Sequence, residues 1–439
     1  MTQRQAILSL IVDLWGGMHP GAWRDENAPA DPAMDLDRVI AMVKTAERGK
    51  FHTFFLADSL AWGIERDPEV VSRTSNVTRY EPFTLLSALA MVTEKIGLAL
   101  TVSTTYTEPY NTARMLASLD YLSKGRAAWN IVTSNNEAEP NFNNYSLSRE
   151  EKYERAAEFV EVARGLWDSL DDDALLRDKE SGVFFDPAKS HFLNHVGKYF
   201  SVAGPFNIAR PPQGHPIIAQ AGASPAGLEF GTKNADVLFT YALDLEPAQA
   251  FYESVKKQVE SQGRHRDDVK ILSTLVLVLG RSQEEADARL AHLDSLADPQ
   301  IGIERLKDII GYDLTGYDLD GPVPEIPPTQ TGSQSMQDAY LGPARAQNLT
   351  VRQLVQLAMR FDAVAMTPEA VADHIQERIE TFAADGFNVT FGDAHGSLEL
   401  FVDEVIPLLQ ERGVFHTDYE AATLRENLGL PRPVSRFAS

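Results

Sequence analysis

A closed (β/α)8 barrel of the TIM-barrel class, forming one domain over residues 1–439, is predicted by three observations. Eight short apolar runs alternate with helix-period segments, beginning with a run near the N-terminus. No two core runs are joined by a hairpin turn, and such alternation implies parallel strands with right-handed crossovers. At 439 residues and 44% apolar content, the chain suits a single large core, since α/β barrels with insertions reach this size as one domain. An open doubly wound sheet is the alternative, because counting strands does not establish closure.

The elements follow in order. Residues 7–13 (ILSLIVD) read as the first strand, and the Gly- and aromatic-rich LWGGMHPGAWR after it as a functional loop. Leu36, Val39, Ile40 and Val43 fall on one helix face, with Gly49 as the stop. HTFFLA is the second strand and delivers Asp58 at its tip. A helix opening at Glu81-Pro82 precedes IGLALTVS, the third strand, which ends in the polar run 103–106. A helix over 111–123 leads to RAAWNIVT, the fourth, and 149–170 is a long amphipathic helix carrying Tyr153, Phe159, Val162, Leu166 and Trp167. Residues 171–214 form an excursion with a short hairpin near GKYFSVAG.

Strands five and six belong to HPIIAQAGASPAGLEFGTKNADVLFT, residues 215–240. A helix over 247–263, a strand over 269–279 and a helix over 283–296 follow. Residues 298–350, with GYDLTGYDLDG and four prolines between 322 and 328, read as a long lid-like loop. Helices resume over 350–360 and 368–385. FNVTF is the last strand, 399–412 the last helix, and 413–439 a surface wrap.

The segment 215–240 carries the clearest local chemistry. Ala221-Gly222-Ala223 forms the turn, Ser224 an N-cap, and Pro225 the first helical residue, where a missing N–H costs nothing. Free N–H groups at such a helix start, together with the dipole, accept an anion such as phosphate. Gly227 stands where a capping box would place Glu or Gln. An ordinary capped helix is the competing reading.

A net charge of -23 argues against nucleic acid and anionic membrane as partners. The N-terminus has an apolar run of about seven residues and no cleavage pattern, too short for a span, which points to the cytoplasm. The absence of Cys removes disulfides, thiolate nucleophiles and zinc-thiolate sites. The expected strand tips carry Trp15, His19, Asp58, Ser103, Thr104, Asn130, Thr133, Ser134, Gln220, Ser224, Asp393 and His395. That set is polar, mostly uncharged and short of metal ligands. It suits a planar cofactor with a phosphate tail that carries the hard chemistry. His191 and His195 have i, i+4 spacing, but they lie in the excursion and read as a surface pair. Asp393 and His395 read as turn residues, and Trp15 and Tyr106 as walls of the mouth.

The stretches FFLADSLAW, RYEPFTLLSALAMVTEKIGL, STTYTEPYNTAR, LSKGRAAWNIVTS and PIIAQAGAS, in this order, resemble the bacterial-luciferase-like flavin monooxygenases. The subgroup of nitrilotriacetate, EDTA and dibenzothiophene-sulfone monooxygenases is the nearest in pattern. The resemblance implies reduced FMN (FMNH2) supplied by a separate NAD(P)H:flavin reductase. It also implies O2 as co-substrate, and insertion of one oxygen atom into a small amine, sulfone or thioether through a flavin C4a-peroxide. Carried onto this chain, Asp58 and Thr104 line the ring pocket beside Ser103 and Asn130, while Tyr153 and Ser224, next to Ala223, take the phosphate. Arg149 stands where the subgroup often has His or Tyr, and is either a phosphate ligand or a solvated helix-start residue. His19 and Ser134 are the candidates for orienting or protonating oxygen or substrate. The family pattern carries the further expectation of a homodimer or homotetramer. The competing functions are a deazaflavin-dependent oxidoreductase and a non-catalytic flavin-binding barrel.

Overall fold

The computed structural model describes residues 4–12, 14–61, 67–134, 141–222, 224–241, 244–329, 334–393 and 396–438. Within it the alternation of each strand sorts side chains to two sides. In the stretch Gly97–Ser103, Leu98, Leu100 and Val102 join the outer core against the helices, while Ala99 meets Phe55, Ala128 and Ile217 inside. Trp129 likewise packs outward on Phe159, ring centroids 5.6 Å apart.

Eight parallel strands close the ring: β1 (Ile7–Val12), β2 (Thr53–Leu56), β3 (Gly97–Ser103), β4 (Ala127–Val132), β5 (Ile217–Ala221), β6 (Val237–Thr240), β7 (Lys270–Leu279) and β8 (Gly386–Phe391). Each pairs with its sequence neighbour, and β8 returns to β1 with Ile7 opposite Gly386. The open-sheet alternative is thereby excluded. A further short strand, Val364–Met366, pairs with the C-terminal end of β7. It went unread in the sequence because β7, at ten residues, extends past the ring and offers a partner edge that no local pattern announces. No helix of the described residues is long and apolar enough to cross a membrane.

The excursion contains the expected hairpin, His195–Val196 against Ser201–Val202. The region 298–350 is not a loop. Pro299–Ile310 and Gln334–Ala346 are helices, and with Val351–Met359 they enclose an apolar cluster of their own that includes Leu306, Ile310, Leu341 and Leu354. The prolines and the GYD repeats occupy the connection between helices, and Asp298 caps the first by accepting from Gln300 N at 2.9 Å.

The tail also departs from the surface wrap. Leu424, Leu428 and Leu430 join the interior cluster with Ile7, Phe55, Ala99 and Val237, and so plug the end of the barrel where the strands begin. Arg425 locks the plug, donating to both carboxylate oxygens of Asp236 at 3.1 and 3.0 Å. Burial at Gly97 is so close that a Cβ there would stand 2.7 Å from Leu424 Cδ2. Leu424→Ala should therefore cost about 2–5 kcal/mol, the range for emptying a buried leucine site, in urea denaturation. A cost below ~0.5 kcal/mol, as for an exposed residue, would show that the tail only covers the surface.

Candidate active site at the strand tips

In a parallel barrel the C-terminal strand ends gather side chains from different strands at one mouth. At the tip of β2, Asp58 lies mostly buried and 3.8 Å from Arg79. Burial pushes its carboxyl up to about 6, with the Arg79 guanidinium pulling the other way. Arg79 lies over the Trp15 ring at 5.2 Å and donates to Asn76 Oδ1 at 2.6 Å. Trp15 comes from the loop after β1, which brings that loop against the β2 tip.

The β3 and β4 tips are knit together by hydroxyls. Ser134, with φ of 52°, donates to Ser103 Oγ at 2.9 Å, and Ser103 Oγ accepts from Thr105 N at 3.2 Å. Thr104 reaches Val132 O through both its N–H and its hydroxyl, at 2.9 and 3.2 Å. Two buried cations from the helix Arg149–Trp167 brace these tips: Lys152 donates to Ser134 O at 3.2 Å, and Arg155 to Thr104 O. Inside the barrel, Asn130 donates to Thr101 Oγ1 at 3.0 Å, the inward orientation that alternation requires. Its Oδ1, and both side-chain atoms of fully buried Asn388, meet no partner among the described residues. Tyr106 stacks on Phe142 at 4.4 Å.

The third part of the mouth is the start of the helix Pro225–Asn234. Ser224 caps it, accepting from Gly227 N at 3.2 Å. Tyr153, one turn into its own helix, brings its hydroxyl to the same place: a Cβ on Gly227 would stand 2.9 Å from Tyr153 Oη and 3.1 Å from Ser224 Oγ. The missing Cβ leaves a cradle between a phenol, a hydroxyl and a helix N-terminus, the donor set an anionic phosphate needs. Arg149 is exposed at the first helical position, four residues from Tyr153 and so on the same face. Ala223 lies outside the described residues.

Several residues expected at the mouth are placed elsewhere or engaged. His19 is buried with both ring nitrogens occupied, Nδ1 accepting from Gly21 N and Nε2 contacting Asp294, each at 3.1 Å. Asp294 is held in turn by Arg360 at 2.6 Å, so His19 fastens the first loop to the helix Gln283–Leu296. Gln220 turns toward the following helix, its Oε1 only 2.6 Å from where a Cβ on Gly231 would be. Asp393 pairs with Arg289 at 2.8 Å, and His395 lies outside the described residues. His191 and His195 meet Asp171 and Glu158, at 3.1 and 3.0 Å, rather than each other. Sequence reasoning missed Arg79, Lys152, Arg155 and Asn388. The alternation in FNVTF marks Asn388 as inward-facing, but nothing local flags Arg79.

The raised Asp58 carboxyl has a signed consequence. A folded-state value above that of the unfolded chain adds stability below about pH 4, and this is lost as pH rises through about 6. Asp58→Asn should therefore gain on the order of 1–3 kcal/mol over the parent at pH 7 and lose that advantage at pH 4. Denaturant melts at the two pH values check it; an equal difference at both removes the shift.

A family model described as luciferase-like monooxygenase matches residues 15–385. The chain is 45% identical over 446 residues to N-acetyl-S-(2-succino)cysteine monooxygenase of Bacillus subtilis (strain 168), with 100% of each chain covered. It is 43% identical over 434 residues to nitrilotriacetate monooxygenase component A of Aminobacter aminovorans, with 96% of each covered. The crystal structure of DmoA from Hyphomicrobium sulfonivorans matches with a TM-score of 0.87 at 33% identity, over 97% of this chain and 92% of that one. With its closed parallel barrel and this likeness along its whole length, the chain belongs to the luciferase-like monooxygenase family and is a flavin-dependent oxidoreductase.

Proposed function

We propose that the mouth binds reduced FMN delivered by a separate flavin reductase, and that the enzyme inserts one atom of O2 into a small amine, sulfone or thioether. The observation that carries this reading is the approach of Tyr153 Oη to Gly227 beside the Ser224 cap. It supplies a phosphate cradle one strand away from the polar tips of β3 and β4. The relatives named above, one for a thioether and one for an amine, support the substrate class, and the words "component A" in the second name support a separate reductase.

Bound reduced FMN supplies the electrons for O2 cleavage, with one oxygen atom going to substrate and the other leaving as water. The chain's own residues do the rest. Tyr153 and Ser224 fix the phosphate. Asp58, Ser103, Thr104 and Asn130 offer polar groups to the ring. Ser134, with its hydroxyl on Ser103, is placed to pass a hydrogen bond toward oxygen or substrate.

Water exclusion falls to the helical insertion, which packs the helix Pro299–Ile310 against Pro68–Val71 after the β2 tip and ties Asp298 to Arg73. His19 serves this arrangement by anchoring the first loop to Asp294.

Gly227→Ala should weaken FMN at least tenfold in a fluorescence titration, because the added methyl fills the cradle. Arg149→Ala measured beside it decides whether that exposed arginine reaches the phosphate. A parent-like Kd for Gly227→Ala would move the phosphate elsewhere. With NADH and a generic flavin reductase, mass spectrometry should find a product heavier by one oxygen. Flavin turnover without oxygen uptake would instead indicate hydride transfer.

A further inference from the structure

Beside the phosphate cradle lies a buried amide with no partner for its oxygen. Gln220 shares the outer face of β5 with Ile218, while Ile217 and Ala219 face the interior. It is 3% exposed, and its Oε1 has no hydrogen-bond partner among the described residues. A buried acceptor left unpaired costs free energy, and native folds rarely keep one without a use. Packing alone does not account for it, since a methionine would fill the same slot with a flexible apolar chain and no orphaned oxygen.

The fold makes room for this amide at two glycines. A Cβ on Gly222, in the turn after β5, would stand 2.2 Å from Gln220 Nε2, and one on Gly231 would stand 2.6 Å from Oε1. The carbonyl end is therefore turned toward the middle of the helix Pro225–Asn234, and the N–H end toward the turn. Gly227, which bounds the cradle, lies one turn before Gly231 on the same helix face. A Cβ on Gly227 would stand 3.3 Å from the carbonyl carbon of Gly222, so Gly222 borders the cradle on one side and Nε2 on the other.

We propose that Gln220 is a ligand of the cofactor phosphate, its Nε2 donating past Gly222 into the cradle formed by Tyr153, Ser224 and Gly227. The proposal rests on the reading of that helix start as the FMN phosphate site. An N–H donated to a charged oxygen makes a stronger bond than one given to a neutral acceptor, and this offsets the acceptor left unpaired at the other end of the amide. The bond exists only when phosphate is bound. It therefore adds to FMN affinity and contributes nothing to the stability of the empty protein.

Gln220→Met, close to the parent side chain in length and volume, tests this on the full chain. Fluorescence titration should show FMN bound at least about tenfold more weakly, the worth of one hydrogen bond to a charged group. Riboflavin, with the same ring and no phosphate, should bind as it does to the parent. The Tm of the cofactor-free variant should equal or exceed that of the parent, because the orphaned oxygen is gone. A residue that only spaces the strand from the helix would instead lower Tm and weaken both flavins together. That result, or parent-like FMN affinity while Gly227→Ala is weakened, overturns the role of Gln220 alone. Parent-like FMN affinity in both variants overturns the phosphate site together with its ligand.

Discussion

The ring closes where Gly386 lies against Ile7, and this contact constrains everything above it. A Cβ at Gly386 would stand 2.0 Å from Ile7 O, so the last strand can lie alongside the first only with glycine there. Once closed, the ring satisfies its own backbone hydrogen bonds and has no open edge. The strand ends then become the one place where side chains from β2, β3, β4 and the turn after β5 face each other. The interior below them mixes apolar side chains that meet the tail plug with buried polar ones, among them Ser9, Thr53, Thr101, Asn130 and Asn388. Thr53 donates to Ser9 Oγ at 2.7 Å.

The eight ring strands were legible because each is a compact apolar run with a helix-period segment after it. The cap at Ser224, the stop at Gly49 and the Glu81 start are local chemistry, and all three formed where sequence placed them. What escaped depends on distant partners. The helices of the insertion were hidden by the prolines between them, and they pack chiefly on each other. The tail reads as polar and proline-rich, yet three leucines spaced over 424–430 plug the barrel, a role decided by Gly97, Asp236 and the open end of the ring rather than by the tail itself.

The candidate site divides in the same way. Tyr153 and Ser224 lie 71 residues apart in sequence and meet at Gly227, whose missing side chain is the visible trace of the cradle. Motif order pointed to both residues. Arg79, by contrast, sits in an irregular stretch between helices and acquires meaning only beside Trp15 and Asp58. His19 drew attention because a histidine in an aromatic loop suggests proton transfer, but its ring nitrogens are taken by Gly21 and Asp294, which gives it the work of holding the loop.

A phosphate held at the start of the helix Pro225–Asn234 would lay the flavin ring toward Asp58, over the Ser103, Thr104 and Ser134 network. A crystal structure of the chain soaked with FMN tests this central arrangement most directly. The account expects phosphorus density at the start of the helix Pro225–Asn234, within hydrogen-bond reach of Tyr153 Oη and the Ser224 cap, with the ring lying toward Asp58. Density for FMN at another surface, or a phosphate turned away from that helix start, would contradict it.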